Sequence, residues 1–411
     1  MIKSGALEMR STCGSFVTMA VLVLILCLGS LLPVTSFEAD IDKEQSLTLA
    51  ERMAKTSMSL WAVTGPAKDR FQYELGVFLR GIELVWEATD DKKYFEYIKF
   101  KVDRFVANNG TINYNFTEFT LDNILTGRLV LSLYERTKDN KYKKAAQILR
   151  EQLRQQPRTH EGGFWHKLTY PYQMWLDGLY MAEPFYAEFA KLFHEYNAFG
   201  DIAKQFIIME LRSRDSKTGL LYHGYDESRV QNWSDPKTGR SPSFWGRAVG
   251  WYFMAIVDTL DFFPMYHPKR VQLLAIVNRL AIAVKKVQDQ KTGLWWQVLD
   301  KPNKKGNYLE SSASSMFVYS YAKGARKGYI SPVYIATAKK GYEGIVKNFA
   351  VKLSDGGLNY TRIASVGGLG GTHYRNGTFE YYISEPIVTN DPKGVGPFMM
   401  ASVEISRSTP V

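Results

Sequence analysis

The sequence predicts an all-α fold, an (α/α)6 barrel in which six helical hairpins close into a ring, with short β-hairpin loops at one rim. Two kinds of helical pattern alternate along the chain from residue 44 onward, one strongly apolar and one merely amphipathic. A glycine turn followed by bulky residues precedes five of the apolar segments. The spacing of these turns fits neither a tetratricopeptide nor an ankyrin array, and a closed ring of hairpins accounts for it better.

Twelve helices are expected, in alternation. The apolar segments start with polar or small residues and form the predicted inner wall, at residues 71–88, 121–137, 175–193, 245–262, 310–327 and 395–405. The amphipathic segments form the predicted outer wall, at residues 44–61, 92–106, 142–155, 198–212, 269–288 and 332–349. Pro184 falls inside the third inner segment, so we expect a kink or a break near Glu183.

The loops are marked by glycines 110, 163, 219, 293 and 357, which are separated by 53, 56, 74 and 64 residues. Alternating bulky residues after each glycine predict a short β-hairpin or an extended loop. The stretch GGLGGTHY at 367–374 lacks the Lys-Ser/Thr ending of a phosphate-binding loop, so we interpret it as a rim loop.

The N-terminus is typical of a secretory signal. Lys3 and Arg10 precede an apolar run at 16–32, and small residues follow that suit cleavage before Phe37. We therefore predict a signal peptide at 1–36 and a single (α/α)6-barrel domain at 37–411. The expected location is exported, periplasmic or secreted, with no stable membrane association after cleavage. The alternative is an uncleaved anchor, because the run is near the lower length limit for a membrane span.

Composition narrows the classes of partner. Both cysteines, Cys13 and Cys27, lie in the predicted leader, so no disulfide is expected in the mature chain. Loss of the leader would change the net charge from +11 to +10, and a basic protein attracts anionic ligands such as acidic sugars. The basic residues are scattered near turns and form no single stripe, so no nucleic-acid partner is expected. The sequence predicts no oligomeric state.

All hairpins run the same way in such a ring, so the N-termini of the inner helices meet at one rim. A single cleft would then gather the residues at those starts, which are Tyr73, Asp122, Asp177, Trp245, Arg247 and Glu310.

Asp122 and Asp177 occupy corresponding places in consecutive inner helices. Two nearby carboxylates push their pKa values apart, so that one stays protonated as a general acid while the other remains ionised. We interpret Asp177, which aromatic residues surround, as the acid and Asp122 as its partner. The alternative is that both residues are helix N-caps.

The fourth inner helix opens with Trp245-Gly246-Arg247 and continues to Gly250-Trp251. Glycine within a helix costs about 0.5 to 1 kcal/mol relative to alanine, so both glycines predict the close approach of a sugar ring or of a neighbouring helix. The two tryptophans can stack on sugar faces and Arg247 can pair with a ligand carboxylate. The alternative is that both tryptophans belong to the core.

His223 and Lys167 lie on predicted loops. His223 is either a structural hydrogen-bonding residue or part of the site, and Lys167 is either an exposed loop residue or a ligand contact. The six histidines show no metal-binding spacing, so we expect no metal site. The sequence also lacks a Walker A loop, a dinucleotide fingerprint and a G-x-S-x-G motif.

Together these residues resemble the unsaturated rhamnogalacturonyl hydrolases, glycoside hydrolase family 105. The resemblance runs from residue 71 to residue 402 and rests on five strings: QMWLDGLYMAEPFYAEFA at 173–190, LYHGYDES at 221–228, SPSFWGRAVGWYFMAIVDTLDFFP at 241–264, ESSASSMFVYSYAKG at 310–324 and NDPKGVGPFMMAS at 390–402.

The resemblance implies an (α/α)6 barrel with its active site at the loop-bearing rim. It implies an exo-acting enzyme that removes 4,5-unsaturated uronic acid from the non-reducing end of lyase-generated oligosaccharides, in particular unsaturated galacturonyl-rhamnose, with no metal or organic cofactor. It also implies Asp177 as proton donor, Asp122 as a second acidic residue, and around the sugar Tyr73, Lys167, His223, Trp245, Arg247 and Trp251.

The implied reaction is a hydration. Asp177 adds a proton to carbon 4 of the enol ether, water attacks the cationic carbon 5, and the resulting hemiketal opens and expels the neighbouring sugar. Three alternatives remain: an unsaturated glucuronyl hydrolase acting on glycosaminoglycan or other polyuronide disaccharides, a sugar epimerase on the same toroid, which needs two rim histidines, and a non-catalytic sugar-binding protein.

Overall fold

The computed structural model describes residues 43–64 and 70–408, and the predicted signal peptide lies outside these residues. The inner helices are α2 (Tyr73–Thr89), α4 (Gly127–Thr137), α6 (Leu176–Leu192), α8 (Gly246–Leu260), α10 (Ser311–Arg326) and α13 (Pro392–Arg407). The outer helices are α1 (Lys43–Leu60), α3 (Lys92–Asp103), α5 (Asn140–Gln155), α7 (Phe199–Ser213), α9 (Arg270–Lys286) and α11 (Tyr334–Phe349). A short helix, α12 (Phe379–Ser384), lies in the connection between α11 and α13.

The predicted ring is confirmed. Each inner helix contacts the next, from α2 through α4, α6, α8 and α10 to α13, and α13 returns to pack on both α2 and α1. All residues of α8 are buried, as are 176–190 of α6 and 311–325 of α10. Helices that are apolar on every side belong in the interior, which is why these segments form the inner wall.

Short antiparallel pairings join the outer helices to the inner ones, as predicted. Isolated bridges pair Val106 with Ile112, Arg158 with Phe164, and Arg214 with Leu221. The described residues also form three two-stranded sheets, β1 (Gln173–Trp175) with β2 (Gly224–Asp226), β3 (Ala350–Lys352) with β4 (Leu358–Tyr360), and β5 (Ile363–Ala364) with β6 (Ile387–Val388).

Several predicted details differ. The left-handed turn residues are Gly162 and Gly356, each one residue before the predicted glycine. Pro184 lies inside α6, which continues unbroken to Leu192, so the expected break does not occur. The second inner helix starts at Gly127, because the stretch before it forms a 3-10 turn at Leu121–Asn123 that Thr120 caps.

The C-terminal end of the inner ring contains a network of buried charges. Asp258 of α8 is fully buried and lies 2.6 Å from Nη1 of Arg128 and 2.5 Å from Nζ of Lys323. Arg326 pairs with Glu404 at 2.8 Å. These pairs link α8 to α4 and α10, and α10 to α13, at the end of the ring opposite the N-termini.

In the described part of the chain, no helix has both the length and the apolar character needed to cross a bilayer.

Candidate active site

A cavity of about 270 Å³ lies at the N-terminal end of the inner ring, near the lower end of the usual range for ligand sites. Residues from the starts of α2, α6, α8 and α13 line it, as the shared direction of the hairpins predicts. The predicted site residues on its wall are Tyr73, Asp122, Lys167, Asp177, Trp245, Arg247 and Trp251. His223 is buried behind Asp177.

Asp177 is held in the first turn of α6, after the N-cap residue Trp175. It is therefore not the N-cap that we considered as an alternative. The β1–β2 pairing fixes this turn, since Trp175 pairs with Gly224 and the N–H of Leu176 donates to the carbonyl of His223 at 2.9 Å. This pairing brings the His223 ring to the base of the cavity.

The carboxylate of Asp177 contacts His223. Nε2 of the ring lies 2.9 Å from Oδ2, a close polar contact without the alignment of a full hydrogen bond. Burial alone would raise the pKa of Asp177, whereas His223 lowers it below its usual value whenever the ring carries a positive charge. The pair is thus a buried acid–base couple at the cavity wall.

Asp122 lines the same cavity but has a different partner from the one predicted. Its Oδ2 accepts a bond from Lys167 Nζ at 2.5 Å, and its Oδ1 lies 3.6 Å from Nε2 of His166. The carboxylate of Asp122 holds the pKa of Lys167 above its usual value despite burial, which alone would lower it. Because the Lys167 ammonium compensates its charge, Asp122 is not among the main groups that shift the pKa of Asp177, and the predicted splitting of two acids is wrong.

His166 was not selected from the sequence. Burial lowers its pKa to about 4, so the ring is neutral at ordinary pH. A Cβ at Gly178 would lie 3.0 Å from Nδ1 of His166 and 3.1 Å from Leu121, so the glycine after Asp177 lets these side chains pack against the start of α6. The only signal in the sequence was its place beside Lys167.

Arg247 presents free donors to the cavity. It is 1% exposed, and its Nη1 donates to the carbonyl of Ala364 and, at 3.3 Å, to Oγ of Ser312. Its Nε and Nη2 have no hydrogen-bond partner among the described residues. An unpaired buried guanidinium is costly unless a ligand completes its bonds, so this geometry suits an anionic ligand group.

Trp245 and Trp251 line the cavity but are each only 1% exposed. Tyr382 stacks on Trp245 with ring centroids 5.5 Å apart, and Tyr180 stacks on Trp251 at 5.0 Å. Each tryptophan therefore packs into the core, as the alternative interpretation had it, and also lines the cavity, while stacking on a sugar stays a prediction.

The two glycines of α8 are explained by neighbouring elements of the fold. A Cβ at Gly246 would lie 2.9 Å from the carbonyl of Trp296, and one at Gly250 would lie 2.9 Å from Met316 of α10. The sequence allowed two explanations for these glycines, the close approach of a sugar ring or of a neighbouring helix. The structure supports close packing within the fold, because Trp296 and Met316 fill the space beside them.

Glu310 does not join the cleft, contrary to our prediction. Its side chain is fully buried and caps α10 by accepting from the N–H of Ala313 at 2.7 Å. It also accepts from the N–H of Ala364 at 2.9 Å. Its carboxylate therefore holds the backbone that in turn binds Arg247.

Further charged residues on the cavity wall carried no distinct sequence signal, namely Arg70, Glu74, Arg375 and Lys393. Burial and the charge of Asp122 raise the pKa of Glu74, whereas Lys393 opposes this shift.

Among the described residues, no group of three or more histidine, cysteine or acidic side chains could hold a metal ion. A more open groove of about 570 Å³ lies around Arg150 and Asp201, but Glu195 and Arg158 already pair with those two residues, which leaves no free charge for a ligand there.

A ring of six helical hairpins with an acid–base couple and a free guanidinium at its mouth defines a class, the six-hairpin glycosidases. The sequence profile of Glycosyl Hydrolase Family 88 matches residues 46–409. The chain belongs to this family and is a glycoside hydrolase.

Individual relatives agree. A solved structure of a family 105 glycoside hydrolase from C. acetobutylicum ATCC 824 is 47% identical with a TM-score of 0.85, over 88% of this chain and 99% of the other. Protein Atu3128 of Agrobacterium fabrum is 38% identical over 54% of this chain and 97% of its own length. Unsaturated rhamnogalacturonyl hydrolase YesR of Bacillus subtilis is 27% identical over 67% of this chain and 74% of its own. The resemblance to family 105 is therefore confirmed.

Proposed function

We propose that this hydrolase removes a 4,5-unsaturated uronic acid from the non-reducing end of oligosaccharides that polysaccharide lyases release. The observation that carries the proposal is the buried Asp177–His223 couple in a cavity whose Arg247 has two unpaired donors. The couple supplies a proton and the guanidinium supplies a site for the uronate carboxylate.

The cavity is suited to an anionic sugar in a second way. The N-termini of four inner helices point at it, and the partial positive charge of helix N-termini favours a bound carboxylate. Arg375 adds a cationic group to its wall, whereas Lys167 and Lys393 are already paired with Asp122 and Asp391.

Asp177 performs both proton transfers in the proposed reaction. Its proton adds to carbon 4 of the enol ether, and the double-bond electrons form the new C–H bond, leaving an oxocarbenium-like carbon 5. A water molecule bonds to carbon 5 and gives its proton back to Asp177. The hemiketal then opens, because the bond between carbon 5 and the ring oxygen breaks, carbon 5 becomes a ketone and its hydroxyl proton passes to the former ring oxygen. The hemiacetal left at carbon 1 collapses to an aldehyde, the bond from carbon 1 to the neighbouring sugar breaks, and the proton of the former ring oxygen passes to the oxygen of that sugar.

The favoured substrate is unsaturated galacturonyl-rhamnose. The support is that YesR, whose name states rhamnogalacturonyl hydrolase activity, matches two thirds of this chain. Unsaturated glucuronyl disaccharides of glycosaminoglycans are the competing substrates.

The epimerase alternative required two histidines at the rim, and both His166 and His223 lie close enough to Asp177 to influence its pKa. The low pKa of His166, about 4, makes it a poor proton carrier at neutral pH. Membership of a hydrolase family removes this alternative.

The test is an assay of the purified protein against a panel of lyase-generated disaccharides, in which the loss of the enol-ether absorbance measures turnover. We expect turnover of unsaturated galacturonyl-rhamnose to exceed that of chondroitin and hyaluronan disaccharides. Asp177→Asn preserves the size of the side chain and should fold but lose about 1,000-fold or more in kcat. Binding of the whole panel without consumption would reject the proposal in favour of a sugar-binding protein.

We also propose that the protein is exported and that residues 1–36 are removed. The support is the basic and then apolar pattern of those residues. N-terminal sequencing of the protein from periplasm and medium should begin at Phe37. A cell-associated protein that keeps residues 16–32 would show the anchor alternative instead.

A further inference from the structure

His223 bridges the cavity acid and a phenol that lies outside the cavity wall. Its Nε2 is 2.9 Å from Oδ2 of Asp177, and its Nδ1 is 2.6 Å from Oη of Tyr382. His223 and Tyr382 are both fully buried. The three side chains therefore form a line, acid to imidazole to phenol, through the floor of the site.

The direction of the hydrogen bond between Tyr382 and His223 follows from the protonation state of Tyr382. Burial raises the pKa of Tyr382 well above its usual value, so the group remains a neutral phenol. In the described part of the chain, the hydroxyl has no other hydrogen-bond partner than Nδ1 of His223. A buried O–H that has one acceptor within reach donates to it, because an unmade bond costs about 1 to 3 kcal/mol.

A phenol that donates to Nδ1 leaves the single imidazole proton on Nε2. His223 is then a neutral donor that faces Oδ2 of Asp177. Oδ2 is buried, whereas the Asp177 side chain is 12% exposed and lines the cavity, so Oδ1 is the oxygen that meets substrate.

We propose that Tyr382 is a positioning residue that keeps His223 neutral, with its hydrogen on Nε2, so that Asp177 holds its reactive proton on Oδ1 toward the cavity. The proposal rests on the proposed function, because it assigns the protonation state that a general acid needs. No bond to Tyr382 forms or breaks in the reaction, and the proton that leaves Oδ1 for carbon 4 is replaced from the attacking water.

The charge on His223 decides whether Asp177 can be an acid at all. A protonated His223 lowers the pKa of Asp177, whereas a neutral one leaves burial, which raises it, as the dominant influence. The other ionisable groups around the couple fall on two sides. On the cavity side are His166, which is neutral, and the mutually compensating pair of Asp122 and Lys167.

On the far side, Tyr381, Arg375 and Glu385 affect the pKa of Tyr382. Glu385 raises this pKa and Arg375 lowers it, so their two charges act against each other. The other charged groups of the cavity wall are not among the main groups that shift the pKa of Asp177, so none of them replaces the effect of His223. These groups are Arg70, Glu74, Arg247, Arg375 and Lys393.

Tyr382 is held independently of its hydroxyl. It lies on α12, which Thr378 caps, and its ring stacks on Trp245 with an interplanar angle of 14°. Its carbonyl accepts from Nε2 of Gln297 at 3.0 Å. Tyr382→Phe removes the O–H donor and leaves this packing, so a folded variant is expected.

The matched control is Tyr321→Phe. Tyr321 is also fully buried, and its hydroxyl also makes one bond of 2.6 Å, to the carbonyl of Ala281, away from the cavity. The two variants lose the same kind of group, so a general effect of losing a buried hydroxyl should appear in both, and thermal denaturation measures it.

The first experiment is ¹⁵N NMR of histidine-labelled full-length enzyme without substrate, with His223→Gln used to assign the signals. We expect His223 in the wild type and in Tyr321→Phe to carry its proton on Nε2 and none on Nδ1 at pH 7. In Tyr382→Phe we expect Nδ1 to become protonated. A protonated Nδ1 in the wild type, or an unchanged signature in Tyr382→Phe, would overturn the proposal whether or not the enzyme hydrolyses the panel.

The second experiment is the pH profile of kcat with the best disaccharide of the panel. For Tyr382→Phe we expect the basic limb to move about one pH unit lower, and hence kcat at pH 7 to fall about tenfold, with KM within about twofold. The Tyr321→Phe profile should superimpose on that of the wild type. A uniform loss of kcat in Tyr382→Phe without a shift of the limb would indicate a purely structural role and reject the proposal. Absence of turnover by the wild type on every substrate would instead reject the proposed function and leave the NMR result to decide the role of Tyr382.

Discussion

The ammonium of Lys167 lies 2.5 Å from Oδ2 of Asp122 on the cavity wall, so the second acidic residue of the site is one half of an ion pair. The Asp122 side chain is 9% exposed and that of Lys167 is 30% exposed. Removing one partner leaves the other charge partly buried without compensation, which usually costs more than removing both.

We therefore expect Asp122→Asn and Lys167→Met each to lower kcat/KM, and the double variant to lose less than the sum of the two. The coupling should be about 0.5 to 3 kcal/mol in a double-mutant cycle. The control cycle is Lys304→Met with Glu380→Gln, a surface pair at 2.7 Å with exposed side chains. Additive effects of Asp122 and Lys167 would show that the ion pair has no role in the site.

Arg247 should recognise the carboxylate of the substrate through its free Nε and Nη2. Arg247→Lys keeps the charge but loses the planar pair of donors, so we expect KM to rise roughly 10- to 150-fold, which corresponds to about 1.5 to 3 kcal/mol of binding free energy. A saturated galacturonate should bind the wild type more tightly than its methyl ester, and the variant should show little difference between the two.

Arg270→Lys is the control for this prediction. Arg270 is also buried, and its Nη1 donates to the carbonyls of Leu260 and Phe263, outside the cavity. It should lower the melting temperature and leave KM unchanged. If Arg247→Lys binds acid and ester as the wild type does, Arg247 is not the carboxylate site.

Gly246 and Gly200 both lie in helices but should respond oppositely to alanine. A Cβ at Gly246 would meet the carbonyl of Trp296 at 2.9 Å, a backbone atom, so Gly246→Ala should lower the free energy of unfolding by about 1 to 3 kcal/mol. A Cβ at Gly200 meets nothing within 4 Å, so Gly200→Ala should raise that energy by about 0.5 to 1 kcal/mol. Urea denaturation measures both, and equal effects would remove close packing as the reason for Gly246.

The ring and its functional rim could be predicted from sequence because they depend on local pattern. Alternating helix types give the two walls, and the common direction of the hairpins places Asp122, Asp177 and Arg247 at one end. Hydrophobic periodicity carries this information without knowledge of any distant contact.

The pairings inside the site could not be predicted in this way, because they join residues that are far apart in sequence. Tyr382 is 159 residues from His223 and lies on a six-residue helix within a long irregular connection, where no periodic signal exists. Lys167 and Asp122 are 45 residues apart, so the neutralisation of Asp122 is visible only in the folded chain. For this reason the prediction that Asp122 and Asp177 push their pKa values apart was wrong.

Asp258 should be the residue on which closure of the ring depends most. It is fully buried and contacts both Arg128 and Lys323. Asp258→Asn would leave two buried cations without that carboxylate, and we expect the free energy of unfolding at pH 7 to fall by about 3 to 5 kcal/mol. Asp300→Asn is the control, because among the residues that the structure describes Asp300 forms an ion pair only with its exposed neighbour Lys301, at 2.7 Å, and its loss should change stability by less than about 1 kcal/mol.

The same residue predicts how stability responds to acid. Lys323 and Arg128 outweigh the effect of burial and hold the pKa of Asp258 below its usual value. A lowered pKa in the folded state means that the stabilisation is complete above the unfolded pKa of about 3.9 and is lost as the pH falls through the folded value. Unfolding free energies measured by urea between pH 7 and pH 3 should therefore fall more steeply below pH 4 for the wild type and Asp300→Asn than for Asp258→Asn. Parallel curves for all three proteins would mean that another carboxylate governs acid stability and that Asp258 does not hold the inner ring together.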